Sequence, residues 1–268
     1  MSSTWRAAVI ASSLLLFPCA GASLAQTSPT SEPASAAAST PSNDAVKKRL
    51  DPTDFQSRFE TRVEHQNLHD GGSRSLIVPR FEYAFSKTLA LRVETPYVWS
   101  HPDGADSDRG LGDIVVRLNY RALRGDGYAL VLGPELSFDT ADEGLGFNAT
   151  VFQPVAFAAI DLPKYKAVLF PYAQQFVEIA GENDVNMTLL RMGLLKRLPN
   201  RFYSFFEPSY YIDWERDGRT GATFELEVGR VMTNKLAIWA RPGFGTGSNR
   251  LPYVYDWNFE VGFRYFLD

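Results

Sequence analysis

From Trp257 to Leu267 the chain alternates large apolar side chains with polar or small ones, and this stretch constrains the fold more than any other. Trp257, Phe259, Val261, Phe263, Tyr265 and Leu267 share one face of an extended strand, while Asn258, Glu260, Gly262 and Arg264 share the other. A period of two marks β structure. These eleven residues at about 3.3 Å each reach roughly 36 Å, enough for a strand tilted by about 45° to cross a bilayer. Strands of ordinary globular domains run nearer five or six residues. A long strand that is aromatic on one side and charged on the other predicts an all-β, transmembrane, up-and-down antiparallel barrel.

The N-terminus predicts export. Arg6 precedes an uncharged apolar run from Ala7 to Ala20, and Ser23, Leu24 and Ala25 suit signal-peptidase cleavage, so residues 1–25 are set apart from the fold. That run is shorter than the roughly 20 residues a spanning helix needs, so any membrane crossing falls to strands. Cys19, the only cysteine, lies within it. A thiol-free mature chain excludes a disulfide framework, a thiolate metal site and a cysteine nucleophile. Without Arg6 the chain has 26 basic and 31 acidic residues, a balance that does not suggest nucleic acid as a partner.

Residues 26–50 are rich in Ser, Ala, Pro and Thr and predict a disordered leader. Within it, Asn43 to Leu50 has the composition of a short helical turn. That turn is expected to be a solvated tether, the alternative being that it occupies the periplasmic mouth of the barrel. The barrel domain is taken as 51–268.

Alternation gives about twelve candidate strands, near 54–65, 74–85, 89–99, 113–123, 127–138, 148–160, 167–179, 185–197, 203–214, 221–232, 235–245 and 256–267. Expected outward faces include Phe55, Phe59 and Val63; Phe81, Tyr83 and Phe85; and Leu226 and Val228. A soluble sandwich alternates too, so loop lengths have to decide between the two. Tight links at 86–88, 124–126, 199–201 and 233–235 take turns with longer ones at 101–111, 139–147, 215–220 and 246–255. Short periplasmic turns opposite long external loops are the mark of an outer-membrane barrel. Aromatic girdles are expected from Tyr97, Trp99, Trp214, Tyr255 and Trp257 on the external side and from Phe85, Tyr203 and Tyr265 on the periplasmic one. Against a regular wall stand Pro79, Pro96, Pro134, Pro154, Pro171, Pro208 and Pro242, which predict bulges or a side opening.

The segment from Gly110 to Arg121, following Val93 to Trp99, resembles the outer-membrane barrel family named for the MetA pathway of phenol degradation. The resemblance covers 54–268 in layout and is specific over about 90–121. It implies a porin or transporter for small aromatic or apolar compounds, with no catalytic residues to carry over. Leu267 and Asp268 follow Phe266 where that kind of barrel more often ends on an aromatic.

The expected lumen-lining residues are Arg58, Glu60, Arg62, Glu64, Arg80, Glu82, Arg92, Glu94, Arg117, Arg121, Glu225, Glu227, Arg241, Glu260 and Arg264. Their mixed signs predict a salt-bridged filling in a narrow lumen, the alternative being a charge-selective path. An external pocket is expected from the long loops with Phe244, Leu251 and Tyr253. His65, His69 and His101 with Ser73, Ser75 and Ser100 raise the alternative of an outer-membrane lipid hydrolase, but no local motif supports a triad. The same histidines with Asp70, Asp103, Asp106 and Asp108 give only a weak metal reading. The sequence thus predicts a channel or transporter, not an enzyme, in the outer membrane of a Gram-negative bacterium. Its expected partners are outer-membrane lipids, the barrel-assembly machinery and a small permeant, with no cofactor and no metal. A structural or adhesive barrel with partner-binding loops is the further alternative.

Overall fold

The computed structural model describes residue 46, residues 49–247, residue 251 and residues 253–267. The expected export segment and residues 26–45, 47 and 48 of the leader lie outside the described residues. Among those described, no helix is long and apolar enough to cross a membrane.

Twelve antiparallel strands form the wall: β1 (Arg58–Leu68), β2 (Ser73–Ala84), β3 (Leu89–Glu94 and Tyr97–His101), β4 (Asp108–Leu111 and Ile114–Gly125), β5 (Tyr128–Gly133 and Glu135–Phe138), β6 (Ala149–Phe152 and Val155–Leu162), β7 (Ala167–Gly181), β8 (Asn186–Arg197), β9 (Phe202–Asp213), β10 (Arg219–Val231), β11 (Leu236–Gly247) and β12 (Tyr255–Phe266). Each pairs with its chain neighbours, and β12 returns to β1 in a register running from Arg58↔Phe266 to Asn67↔Trp257. The sheet therefore closes on itself and has no free edge.

Connections alternate as the sequence predicts. Links at 85–88, 126–127, 163–166, 198–201 and 232–235 lie at one end, and those at 69–72, 102–107, 139–148, 182–185 and 214–218, with Leu251, Tyr253 and Val254 ahead of β12, at the other. The 163–166 link is tightened by a 3-10 turn at Pro163–Tyr165, closed by Lys166 at a φ of 51°.

The faces of β12 separate by exposure: Phe259, Val261 and Phe263 are 48, 40 and 37 % exposed, against 2 and 6 % for Asn258 and Glu260. Phe81, Tyr83, Leu118, Tyr120, Leu226 and Val228 continue the exposed apolar belt around the barrel. A belt of this kind facing outward from a polar interior is stable against lipid.

Three expected positions are corrected. Phe55 is not on the outer face; it is buried with Ala90, Val131, Val155 and Phe157. Pairing of the first strand begins only at Arg58, and ahead of it Asp51 Oδ1 accepts from both the amide (2.8 Å) and hydroxyl (2.7 Å) of Thr53 in a local turn. Tyr203 and Tyr255 leave the girdles and point inward, 1 and 4 % exposed. Tyr255 changes face because the β1/β12 register shifts between Asn67 and Leu68.

Each of the seven prolines coincides with rungs missing from the ladder, on one side at Pro79, Pro171, Pro208 and Pro242 and on both at Pro96, Pro134 and Pro154. Proline has no N–H to donate, so pairing yields there. Carbonyls take over at several of these points: Gly112 donates to Pro96 O at 2.9 Å, Leu118 to Pro134 O at 3.0 Å and Gln175 to Pro154 O at 3.2 Å. The interruptions are thus spread around the wall.

At the periplasmic end Val46, Arg49 and Leu50 are helical. Val46 is fully buried among Ala159, Val168, Leu195, Tyr203 and Phe266, with Leu50 packed alongside. Arg49 lies 5.0 Å from the Phe266 ring and donates to Gln56 at 2.6 Å. This end of the leader is therefore not a solvated tether. Burying Val46 and Leu50 removes apolar surface from water, which composition averaged over 26–50 does not reveal.

Candidate functional site

Inward side chains divide the lumen into two unlike halves. On β1 to β4 and β10 to β12 the positions that face in carry most of the arginines and glutamates of the lumen. On β6 to β9 they include Phe157, Phe170, Tyr172, Phe176, Leu195 and Phe205.

The charged half is a continuous belt of ion pairs. Arg58 meets Glu82 at 3.2 Å; Arg80 meets Glu60 at 2.7 Å and Glu94 at 3.0 Å; Arg92 meets Glu94 at 3.0 Å. Across the closing seam Arg264 of β12 reaches Glu60 of β1 at 2.5 Å and Glu227 at 2.9 Å. Arg241 meets Glu227 at 2.7 Å.

Opposite charges face each other at Arg58↔Glu82 and Glu60↔Arg80, as the sequence predicts. Like charges face each other at Arg92↔Arg117, Glu64↔Glu260 and Glu207↔Glu225. A like pair in direct register is unfavourable, more so when buried. In each case a counter-ion spans it. Glu135 takes Arg92 at 2.7 Å and Arg117 at 2.5 Å, Arg62 lies 3.8 and 3.4 Å from Glu64 and Glu260, and Arg241 lies 3.9 and 3.1 Å from Glu207 and Glu225.

Fourteen of the fifteen expected lumen residues line two inner cavities. Arg121 sits lower, donating to Thr53 O at 2.9 Å with its guanidinium 5.9 Å from the Phe55 ring. Glu135, Arg191, Glu207, Tyr172 and Gln174, outside the set expected from alternation, also line the central cavity. Arg191 has a weak partner, Glu207 at 3.7 Å, and lies 5.2 Å from the Tyr172 ring.

The central cavity, about 400 Å³, has Leu50 and Pro52 in its lining at the periplasmic side. A second of about 220 Å³ shares Arg62, Arg191 and Arg241 with it. An outer cavity of about 460 Å³ lies under the external connections, sharing Val115 with the central one and Tyr253 with the second. Of the expected external pocket, Tyr253 lines this cavity and Leu251 is buried. Phe244 instead faces outward, 56 % exposed and stacked on Phe224 with centroids 5.1 Å apart.

His65 and Ser75 come together on the outer face of the wall, Nδ1 2.9 Å from Oγ, with the imidazole 5.3 Å from the Trp257 ring. His69 pairs with Asp256 at the rim, and His101 is exposed. Among the described residues no group of three His, Cys, Asp or Glu side chains is placed to hold a metal ion.

No family model and no curated protein sequence matches the chain. Solved structures do. The COG4313 outer membrane channel from Pseudomonas putida F1 is similar at a TM-score of 0.61 and 12 % identity, over 80 % of this chain and 96 % of that one. The KdgM porin aligns at 0.55 and 10 % identity over 78 and 98 % of the two chains, and the NanC porin at 0.55 and 12 % over 77 and 98 %. At these identities the likeness speaks for architecture alone. The chain is a closed twelve-stranded antiparallel β-barrel with the architecture that these outer-membrane proteins share.

Proposed function

We propose that this barrel is an outer-membrane channel or transporter for small solutes, with a preference for aromatic or apolar ones. The observation that carries this reading is the series of three abutting cavities from the external loops to Leu50 and Pro52. Their two-sided lining supports the preference. Phe157, Phe170, Tyr172 and Phe205 offer a flat solute ring faces, while the opposite wall holds its charges in mutual pairs. Paired arginines and glutamates are poor single-sign selectors, so free ion conduction is not the main expectation. The resemblance over residues 90–121 points to the same class of permeant.

Proteoliposome swelling tests it. Full-length protein is expected to accelerate swelling in phenylalanine and not in a trisaccharide. Swelling no faster than empty vesicles in both solutes overturns the reading.

One observation favours a lipid hydrolase instead: the Ser75–His65 contact faces lipid near the external rim. Ser75 pairs with His65 on one side and Trp99 on the other, so strand pairing occupies the surrounding backbone and leaves no evident oxyanion donor. Fatty-acid release from mixed micelles that disappears in Ser75→Ala would establish this second reading, and release equal to buffer would remove it.

A further inference from the structure

The outer cavity holds a cation whose environment the barrel leaves incomplete. Arg74, near the external end of β2, lines the cavity and donates to Leu145 O at 3.3 Å. Among the described residues no carboxylate lies within ion-pair distance of it. The acidic groups that share its surroundings, Glu64 and Asp113, are engaged elsewhere. Glu64 accepts from Gln66 at 2.6 Å and Asn258 at 3.2 Å. Asp113 accepts the backbone N–H groups of Thr140, Ala141 and Phe147 at 3.3, 3.2 and 2.7 Å. Among the described residues every other arginine that lines the three cavities meets at least one carboxylate within 4 Å.

A second donor opens on the same space. Ser137 is fully buried, its hydroxyl has no partner and it lines the cavity. Buried polar groups without partners are uncommon in native proteins, and an unpartnered Ser137 hydroxyl in the same cavity as an arginine that meets no carboxylate calls for an acceptor. Around them the walls are apolar and aromatic: Leu145, Phe147, Val185 and Tyr253, with the Phe147 and Tyr253 rings 5.9 Å apart. The remaining charges at the cavity do not satisfy Arg74. Arg216 is held by Asp213 at 2.5 Å, and Asp184 stands exposed at the rim. A volume of about 460 Å³ falls in the range of roughly 300–1,000 Å³ for small-molecule sites.

We propose that the outer cavity is a recognition site for small monocarboxylates with an aromatic or apolar body, the carboxylate meeting Arg74 and the body lying against Phe147 and Tyr253. Guanidinium and carboxylate match as a bidentate, charge-assisted pair, which a neutral amide of the same shape does not reproduce. Ser137 donates a further hydrogen bond to a polar group of the ligand. This inference rests on the channel reading, since it names the solute that the outermost cavity selects.

Titration calorimetry on the full-length protein in detergent, with benzoate and its uncharged isostere benzamide, tests it. Benzoate is expected to bind at least about tenfold more tightly than benzamide. Arg74→Gln should remove that preference while leaving benzamide binding as it is, and Arg74→Lys should keep part of it. Equal affinities for the two probes in the unmodified protein overturn the proposal, as does a preference that survives Arg74→Gln. If Arg74→Gln does not give a heat-modifiable barrel, the ratio in the unmodified protein alone decides. Calorimetry requires no flux. Benzoate preference without solute-driven swelling therefore refutes the channel and leaves the site, whereas swelling without benzoate preference does the reverse.

Discussion

Arg92 of β3 and Arg117 of β4 stand directly opposite each other, and both donate to one carboxylate, Glu135 of β5. Three strands are thereby tied at one point, and the repulsion between the first two is offset by a group supplied from the third. Replacing Glu135 with glutamine keeps the shape and removes the charge. The variant is expected to lose about 3 kcal/mol of stability, because two buried cations are left facing each other. Unfolding by denaturant in detergent, followed on unboiled gels, reads this loss; a midpoint unchanged from the parent would refute it.

The two faces of β12 give opposite expectations. Phe263 faces outward, 37 % exposed, and packs on Phe59 with ring centroids 6.0 Å apart. Phe263→Arg is expected to cost roughly 2–4 kcal/mol, the cost of a cation at the bilayer midplane. Glu260→Gln, on the lumen side, should cost far less. It keeps an acceptor for Trp239 Nε1 at 2.8 Å and relieves the repulsion from Glu64 opposite. Folding yield in lipid vesicles separates the two, and a Glu260→Gln defect as large as that of Phe263→Arg would contradict the assignment of faces.

The periplasmic floor predicts a gain of conductance. Val46 has no exposed surface and packs against Leu195, Tyr203 and Phe266. Val46→Glu places a carboxylate in that apolar cluster, where desolvation disfavours it. The segment should leave the mouth, and single-channel conductance should rise several-fold while heat-modifiable migration persists. Conductance equal to that of the parent would mean that the floor does not limit passage.

Two lumen aromatics lie over glycines directly across from them in register: Tyr203 over Gly229 and Trp239 over Gly262. A Cβ at Gly262 would lie 2.4 Å from Trp239 Cζ2. Gly262→Val should push the indole away from Glu260 and from the Arg264 guanidinium, now 4.0 Å from the Trp239 ring. Overpacking of this kind costs about 1–3 kcal/mol. Tryptophan emission shifted to longer wavelength is the expected signature, compared with a Trp239→Phe background to isolate this one indole.

The strands were legible in the sequence because lipid on one side and a charged lumen on the other impose strict alternation on β1 to β4 and on β10 and β12. Where the lumen wall turns aromatic, at Phe170, Tyr172 and Phe176, both faces are apolar and the period fades. Arg191 and Glu207 stand isolated in segments with little polar periodicity, so alternation does not mark them as lumen residues. Glu135 was hidden differently, following Pro134 at a break in its strand. Phe55 misled because aromatic alternation runs on past the point where pairing starts. The shift at Asn67 and Leu68 that turns Tyr255 inward has no signature in local composition. The like-charge pairs depend on register, which a list of strands does not contain.

The Arg264–Glu60 contact joins the last strand to the first. In an open sheet, before β12 reaches β1, Glu60 would lack one of its two arginines and Arg264 one of its two carboxylates. Such half-neutralised groups are costly wherever water is scarce. Closing the seam between the last strand and the first is thus the step that completes the neutralisation of the charge belt, so the electrostatics of the lumen favour the closed ring over the open sheet.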